Sequence, residues 1–457
     1  MKISLRRRDL SWMPVPSRSW RSALFCGGFA GATLVLPLLS GCSKKVTSTK
    51  KEIVLWHWLT DREDALETLA DQYEKQTGVK VRLEVYAPSD VYSSRIRASA
   101  QTNTLPDIFG VLGESWDLAS YIKSGHVANL EPAMLANDGA WRKMFFPKAL
   151  ANNTFATHNQ YDVPPGVYGV PIDVTNIQML YNKALFKQAG LDPERPPQTW
   201  EEWIADWHKL KAAGIPGLVS GWGETWMINC FASNYAFNIM GESKVLDTFR
   251  GKVRYTDPDW IRVFSLFDEI RREDLLVSGA VTMINKAAEQ TFANGKAAFA
   301  FNGSWCVHPY QEMNPDLSYA PMLPPRVSTK FPMRIWGGAG SSFMVNAQSP
   351  QKNEAIRFLQ WLTEEPQQSF LSKETFNLPS NRASVGNLPP ILAAFAAHMD
   401  DTTHPSQWPV TERPTVTEAI GKGIQSILIG EKTPAQMAAD IETLKFQQAG
   451  DAASGSH

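Results

Sequence analysis

The segment Gly221-Trp-Gly-Glu-Thr-Trp226 puts two indoles and a carboxylate in one glycine-rich stretch. Flat indole faces pack against apolar C–H surfaces with little entropy to lose, and charged acceptors form the stronger hydrogen bonds to hydroxyls. Such a set suits a hydroxyl-rich ligand, a carbohydrate above all, so Trp222, Glu224 and Trp226 are candidate contacts. Comparable sets follow two predicted strands: His57, Trp58 and Asp61 after one, Asn302, Ser304 and Trp305 after the other. Trp336-Gly337-Gly338 adds another indole on a backbone free to approach a ligand closely or to act as a hinge. No Gly-x-Ser-x-Gly, His-Glu-x-x-His or phosphate-loop pattern occurs, nor any Cys-x-x-Cys or histidine-rich metal spacing, so no cofactor or metal is expected. A glycan-cleaving enzyme would need two carboxyl groups at catalytic separation. Sequence alone does not place Asp61, Glu114 and Glu224 in space, and that alternative stays open.

The elements that must position these residues read as alternating strands and helices. Glu52 to Trp58 is a short apolar run, read as a buried strand. Leu66, Leu69 and Tyr73 then share a helical face that stops at Gly78. Val79, Val81, Leu83 and Val85 alternate with polar residues as a second strand, and Leu105 to Val111 supplies a third. This order predicts an α/β fold around mainly parallel sheets, with ligands beyond the carboxyl ends of the strands. Farther on, Thr199 and Glu202 form a capping box ahead of Trp203, Trp207 and Leu210, whose helical spacing marks them as core. Ala287 to Phe292 reads as helix and Lys296 to Phe301 as strand. Phe343 to Val345 reads as a strand, and a helix with Ile356, Leu359 and Leu362 on one face follows Ser349-Pro350. Pro389 to Arg413 is irregular, and residues 450–457 read as a disordered tail.

The N-terminus carries basic residues, then an apolar stretch from Ala23 to Leu39 broken by glycines and Pro37, then Leu39-Ser40-Gly41-Cys42. That order is an export signal, too short and interrupted for a spanning helix. The small residues before Cys42 resemble the lipobox of bacterial lipoproteins, which implies cleavage after residue 41, lipidation of Cys42 and a flexible tether over 42–51. Removing 1–41, with six basic side chains and one acidic one, takes the formal net charge from −1 to −6. A mildly acidic chain without basic clusters does not suit nucleic acid or an anionic membrane surface. Cys230 and Cys306 are the remaining cysteines, either a disulfide or two buried thiols.

Leu105-Pro-Asp-Ile108, Tyr168-Gly-Val-Pro171 with Leu180-Tyr-Asn-Lys183, Pro197 to Glu202, Phe292-Ala-Asn-Gly-Lys296 and Asn302-Gly-Ser-Trp305 occur in the order seen in family 1 extracellular solute-binding proteins. The chain resembles these maltose-binding-like receptors of ABC sugar importers over nearly its whole length after the signal. The resemblance implies a two-lobed periplasmic-binding-protein-like fold of type II with the ligand cleft between lobes, lobe one being 52–171 plus 340–383 and lobe two 172–339 plus 384–449. It implies hinge closure on a carbohydrate, delivery to the transmembrane subunits of a permease, and no enzymatic activity. It places Glu114 and Trp116 among the ligand contacts, turns the Trp305 ring to the cleft, and adds Asp173 and Asn176, near the crossover, as further candidate ligand contacts. Trp408, Arg413 and Arg382 lie where relatives make further contacts but read as structural here, as does Asp107. The same fold with a phosphorylated polyol, a polyamine or a metal chelate is the alternative ligand reading. A monomer tethered outside the cytoplasm, in the periplasm or at the cell surface, completes the expectation.

Overall fold

A computed structural model describes residues 51–454 except 88, 113–114, 404–407 and 410–411. The expected signal over 1–41, Cys42, all but the end of the tether, and Glu114 lie outside the described residues.

Two sheets organise the chain. In the first, strands run in the order Lys80–Val85, Glu52–His57, Ile108–Phe109, Ser342–Val345 and Val170–Pro171. The first three are parallel, and Ser342–Val345 is antiparallel to both of its neighbours. Ile53 and Leu55 are fully buried, packed with Leu66, Leu69 and Tyr73 of the helix Glu63–Thr77. That helix ends at Gly78, whose φ of +75° favours a residue without a Cβ and whose amide closes on Glu74 O at 2.8 Å. Asp107 braces the sheet, accepting from the Val54 amide at 2.8 Å and from the Ser349 hydroxyl.

The second sheet is built on the ten-residue strand Asp173–Asn182. Tyr319–Met322 and Phe299–Gly303 flank it antiparallel, and Leu218–Val219 lies parallel to Phe299–Gly303. Gly337–Ala339 and Leu378–Pro379 pair antiparallel with its first residues. Parallel pairing is thus confined to Glu52–His57 with its two neighbours and to Leu218–Val219 with Phe299–Gly303 among the described strands. The antiparallel share arises because the chain passes between sheets in extended segments, which need no helical crossover. Trp200, Trp203 and Trp207 are core, and the Thr199–Glu202 capping box forms as expected. Two other expectations change. Residues 450–454 continue the helix Pro434–Ser454, and the irregular stretch holds a short helix, Pro390–Ala396. Cys230 and Cys306 are both buried free thiols.

The passages between sheets fall at Ile172 and at Gly340–Ser341, and a buried ion pair sits beside them. Arg62 bonds through its guanidinium to Asp173, to the Asn377 carbonyl oxygen at 3.1 Å and to the Ser341 hydroxyl at 3.4 Å. Asp173 also accepts from the Ser341 amide. A Cβ on Gly340 would lie 2.5 Å from Asp173 Oδ1, so only glycine lets the backbone pass. Burial works against the Arg62 charge, but Asp173 and Asp61 outweigh it and hold its pKa above the ordinary value. Burial likewise pushes the Asp173 carboxyl upward, opposed by Arg62 and the Ser341 amide. Arg62→Ala leaves Asp173 buried without its counter-charge and is expected to cost about 3–5 kcal/mol in urea unfolding; a loss below about 1 kcal/mol would show that the pair does not hold the crossover together.

Candidate functional site

Leu218–Val219 and Phe299–Gly303 run parallel, so the segments after them emerge at one edge of the second sheet. The loop after Leu218–Val219 is pinned by Ser220, whose hydroxyl donates to Phe301 O at 2.8 Å. Its glycines are needed for close approach: a Cβ on Gly221 would lie 2.5 Å from Asn285 Cα, and one on Gly223 2.5 Å from Thr282 O. Pressed there, Glu224 accepts from the Asn285 amide at 2.7 Å and from the Trp226 indole N–H at 2.9 Å. Trp226 is 41% exposed and packs on the half-buried Trp305, with ring centroids 5.9 Å apart. The Trp305 ring lies over Gly303, where a Cβ would come within 2.0 Å of it. Two adjoining indoles and a carboxylate thus form one surface.

Behind this surface Glu289 is buried. It accepts from Asn285 Nδ2 at 3.0 Å and Asn302 Nδ2 at 3.3 Å, and Asn302 reaches the Tyr310 hydroxyl at 3.3 Å. Burial pushes the Glu289 carboxyl up, opposed by hydrogen bonds from Asn302, Trp305 and Asn285 and by the charge of Lys286.

At the first sheet, the parallel strands Glu52–His57 and Ile108–Phe109 lead into Trp58–Asp61 and Gly110–Leu112. Trp58 is half-buried, packs on Tyr92 at 5.1 Å and covers Gly110, where a Cβ would meet its ring at 2.1 Å. The Tyr92 hydroxyl locks this corner, accepting from the Gly110 amide at 2.7 Å and donating to Trp56 O at 3.1 Å. Asp61 is exposed, and Trp116, 38% exposed, stands edge-on against Tyr161 at 4.8 Å.

Several expected contacts are placed elsewhere. Trp222 is fully buried against Phe231 and Phe267, because the two close-packed glycines turn its side chain into the core. Asn176 is fully buried and occupied: its amide nitrogen donates to Phe395 O at 2.9 Å and its oxygen accepts from Gln178 at 2.9 Å. Asp173 answers Arg62 rather than a ligand. Asn302 is buried under Trp305, its oxygen capping the Gly303 amide at 2.8 Å. His57 is fully buried at the strand end, where its Nδ1 accepts from the Leu59 amide at 3.3 Å. Gly337 and Gly338 are buried in a strand paired with Asn176 and Thr175. Trp336 remains half-buried, its backbone held by Asn234 at 2.8 Å and Ile177 at 2.9 Å. Trp408 is core, stacked near Trp260 and donating to the Tyr255 hydroxyl at 3.0 Å, whereas Arg382 and Arg413 are exposed. Sequence reasoning passed over Arg62, Tyr92 and Glu289. The signal for Glu289 was present, since it is an acid beside Ala288 and four residues from Ala293, on the apolar side of its helix.

Among the described residues, no cluster of three histidine, cysteine, aspartate or glutamate side chains is arranged to hold a metal, and no helix is long and apolar enough to cross a membrane.

Comparison with known proteins gives a consistent result. The sequence profile of the family described as bacterial extracellular solute-binding protein matches residues 58–369. A multiple sugar-binding protein of Streptococcus mutans is 22% identical over 357 residues, covering 75% of this chain and 79% of the relative. The sn-glycerol-3-phosphate-binding periplasmic protein of Yersinia pseudotuberculosis is 28% identical over 222 residues, 47% of this chain and 49% of the relative. Among solved structures, a chitin oligosaccharide binding protein superposes with a TM-score of 0.73 at 20% identity, covering 87% of this chain and 98% of that one.

His57 gives a pH signature. Burial lowers its pKa from 6.5 to about 4, with Asp61 opposing and Arg62 assisting. Between those values the unfolded chain takes up a proton that the folded chain refuses. The contribution of neutral His57 is therefore complete above pH 6.5 and is lost as the pH falls toward 4, about 3 kcal/mol in all. Urea unfolding of wild type and His57→Gln across this range is expected to show a flatter pH dependence for the variant; equal slopes would contradict the assignment.

Proposed function

Because the chain belongs to the bacterial extracellular solute-binding proteins, we propose that it captures a neutral sugar or oligosaccharide outside the cytoplasm and delivers it to an ABC permease. The observation that carries this reading is the Trp226–Trp305 surface with Glu224 at its margin. Adjoining indoles supply apolar area for the faces of successive sugar rings, and a carboxylate accepts from their hydroxyls. Trp58, Asp61 and Trp116 form the opposing side, carried by the first sheet. Lobe one, 52–171 with 340–383, closes on lobe two, 172–339 with 384–449, and the sugar-binding names of similar proteins support the choice of ligand. Lipidation at Cys42 tethers the receptor near its permease, which raises the local concentration of loaded receptor without added affinity.

A phosphorylated polyol, the ligand in the name of the Yersinia relative, would need a cluster of positive charge or a helix end facing it. Arg62, the basic residue between His57 and the helix Glu63–Thr77, is buried and spent on Asp173, which favours the neutral ligand.

Calorimetric titration with maltotriose, xylotriose, chitotriose, raffinose, sn-glycerol 3-phosphate and spermidine separates these readings. Binding of a neutral oligosaccharide is expected, weakened about tenfold or more by Trp226→Ala, Trp305→Ala or Glu224→Ala with folding intact. Binding confined to the phosphate ester or the polyamine would overturn the sugar reading, and turnover of a bound sugar would overturn the assignment as a non-enzyme.

A further inference from the structure

Glu289 stands where every segment of the tryptophan surface meets. An ionised carboxylate only accepts hydrogen bonds, and two donors converge on one oxygen of this one, from its own helix (Asn285 Nδ2, 3.0 Å) and from the strand end (Asn302 Nδ2, 3.3 Å). Lys286 adds a charge at 3.9 Å. The connection continues outward: the Asn285 amide donates to one oxygen of Glu224, and the other oxygen holds the Trp226 indole. A chain of hydrogen bonds therefore runs from the Trp226 ring through Glu224, Asn285 and Glu289 to Asn302, whose side-chain oxygen caps the Gly303 amide beneath the Trp305 ring. A carboxylate on the apolar side of the helix Asn285–Ala293, beside buried Ala288 and Ala293, is costly to bury and is retained only where its partners repay it.

We infer that Glu289 is the positioning residue of the ligand surface: through Asn302 and Gly303 beneath Trp305 on one side and Asn285–Glu224 on the other, it fixes the angle between the two indoles and hence the shape of sugar chain they accept. The inference rests on reading Trp226 and Trp305 as the ligand surface. It assigns Glu289 no ligand contact. Both amide donors address the same Glu289 oxygen, so Gln keeps the tether through its own oxygen, whereas Leu leaves both donors unpaired at similar volume.

Two measurements on the full chain test this. The coupling of the two adjoining indoles, tilted by 48° with centroids 5.9 Å apart, gives a far-ultraviolet circular dichroism couplet, isolated as wild type minus Trp226→Phe. Glu289→Leu is expected to shrink that couplet strongly, Glu289→Gln to keep most of it, and Asn285→Ala to shrink it in the same sense as Leu, so the reading survives should Glu289→Leu fold poorly. Calorimetry with the tightest-binding trisaccharide of the panel is expected to show about a tenfold loss in Glu289→Leu, and little further loss when Glu289→Leu is added to Trp305→Phe. A couplet unchanged in Glu289→Leu and Asn285→Ala, or equal losses from Glu289→Leu with Trp305 present and with Phe in its place, would overturn the positioning role. If Trp226→Ala and Trp305→Ala bind as wild type, the surface itself is misassigned, and the couplet still decides whether Glu289 sets its geometry.

Discussion

The ion pair between Arg62 and Asp173 joins the loop after the first strand of one sheet to the first residue of the long strand of the other. Both side chains are buried, so neither is stable without its partner, and Ser341 and Asn377 fill most of the remaining hydrogen-bonding capacity. The backbone of Gly340 passes so close to Asp173 that no Cβ fits. Four stretches far apart in sequence are thus fixed at one point, which is where the chain passes between sheets.

The two sides present aromatic residues by the same physical device. Trp58 lies over Gly110 and Trp305 over Gly303, each ring occupying the volume that a Cβ would take. Each such glycine follows or closes a short strand, so the ring is delivered at the carboxyl edge of its sheet. Further hydrogen bonds set the orientation, from Tyr92 at the first sheet and from Glu289 with its asparagines at the second. Glycine therefore makes room, and a buried polar group sets the angle.

Much of the fold was legible along the chain. The helix stop at Gly78, the capping box at Thr199 and Glu202, and the core assignment of Trp203 and Trp207 depend on local spacing, and the structure repeats them. Residues whose role depends on distant partners were not legible. Asp173 looked like a ligand contact because its partner lies 111 positions earlier. Trp222 shares a loop with Glu224 and Trp226, and residue type alone does not tell which indole turns inward; the approach of Gly221 and Gly223 to Asn285 and Thr282 decides it.

The signal-like N-terminus, the strand and helix periodicities and the family motifs are properties of neighbouring residues, and the sequence by itself determined them, together with the loop that carries Glu224 and Trp226. Tertiary structure alone decided that Trp226 meets Trp305, that His57, Asn176 and Trp222 are buried, that Arg62 meets Asp173 where the chain passes between sheets, and that Glu289 gathers Asn285 and Asn302. The reason is the range of the interactions involved. Periodicity and capping act within one or two turns of chain, whereas the cost of burying a charge is repaid by donors and acceptors that only the folded chain brings together.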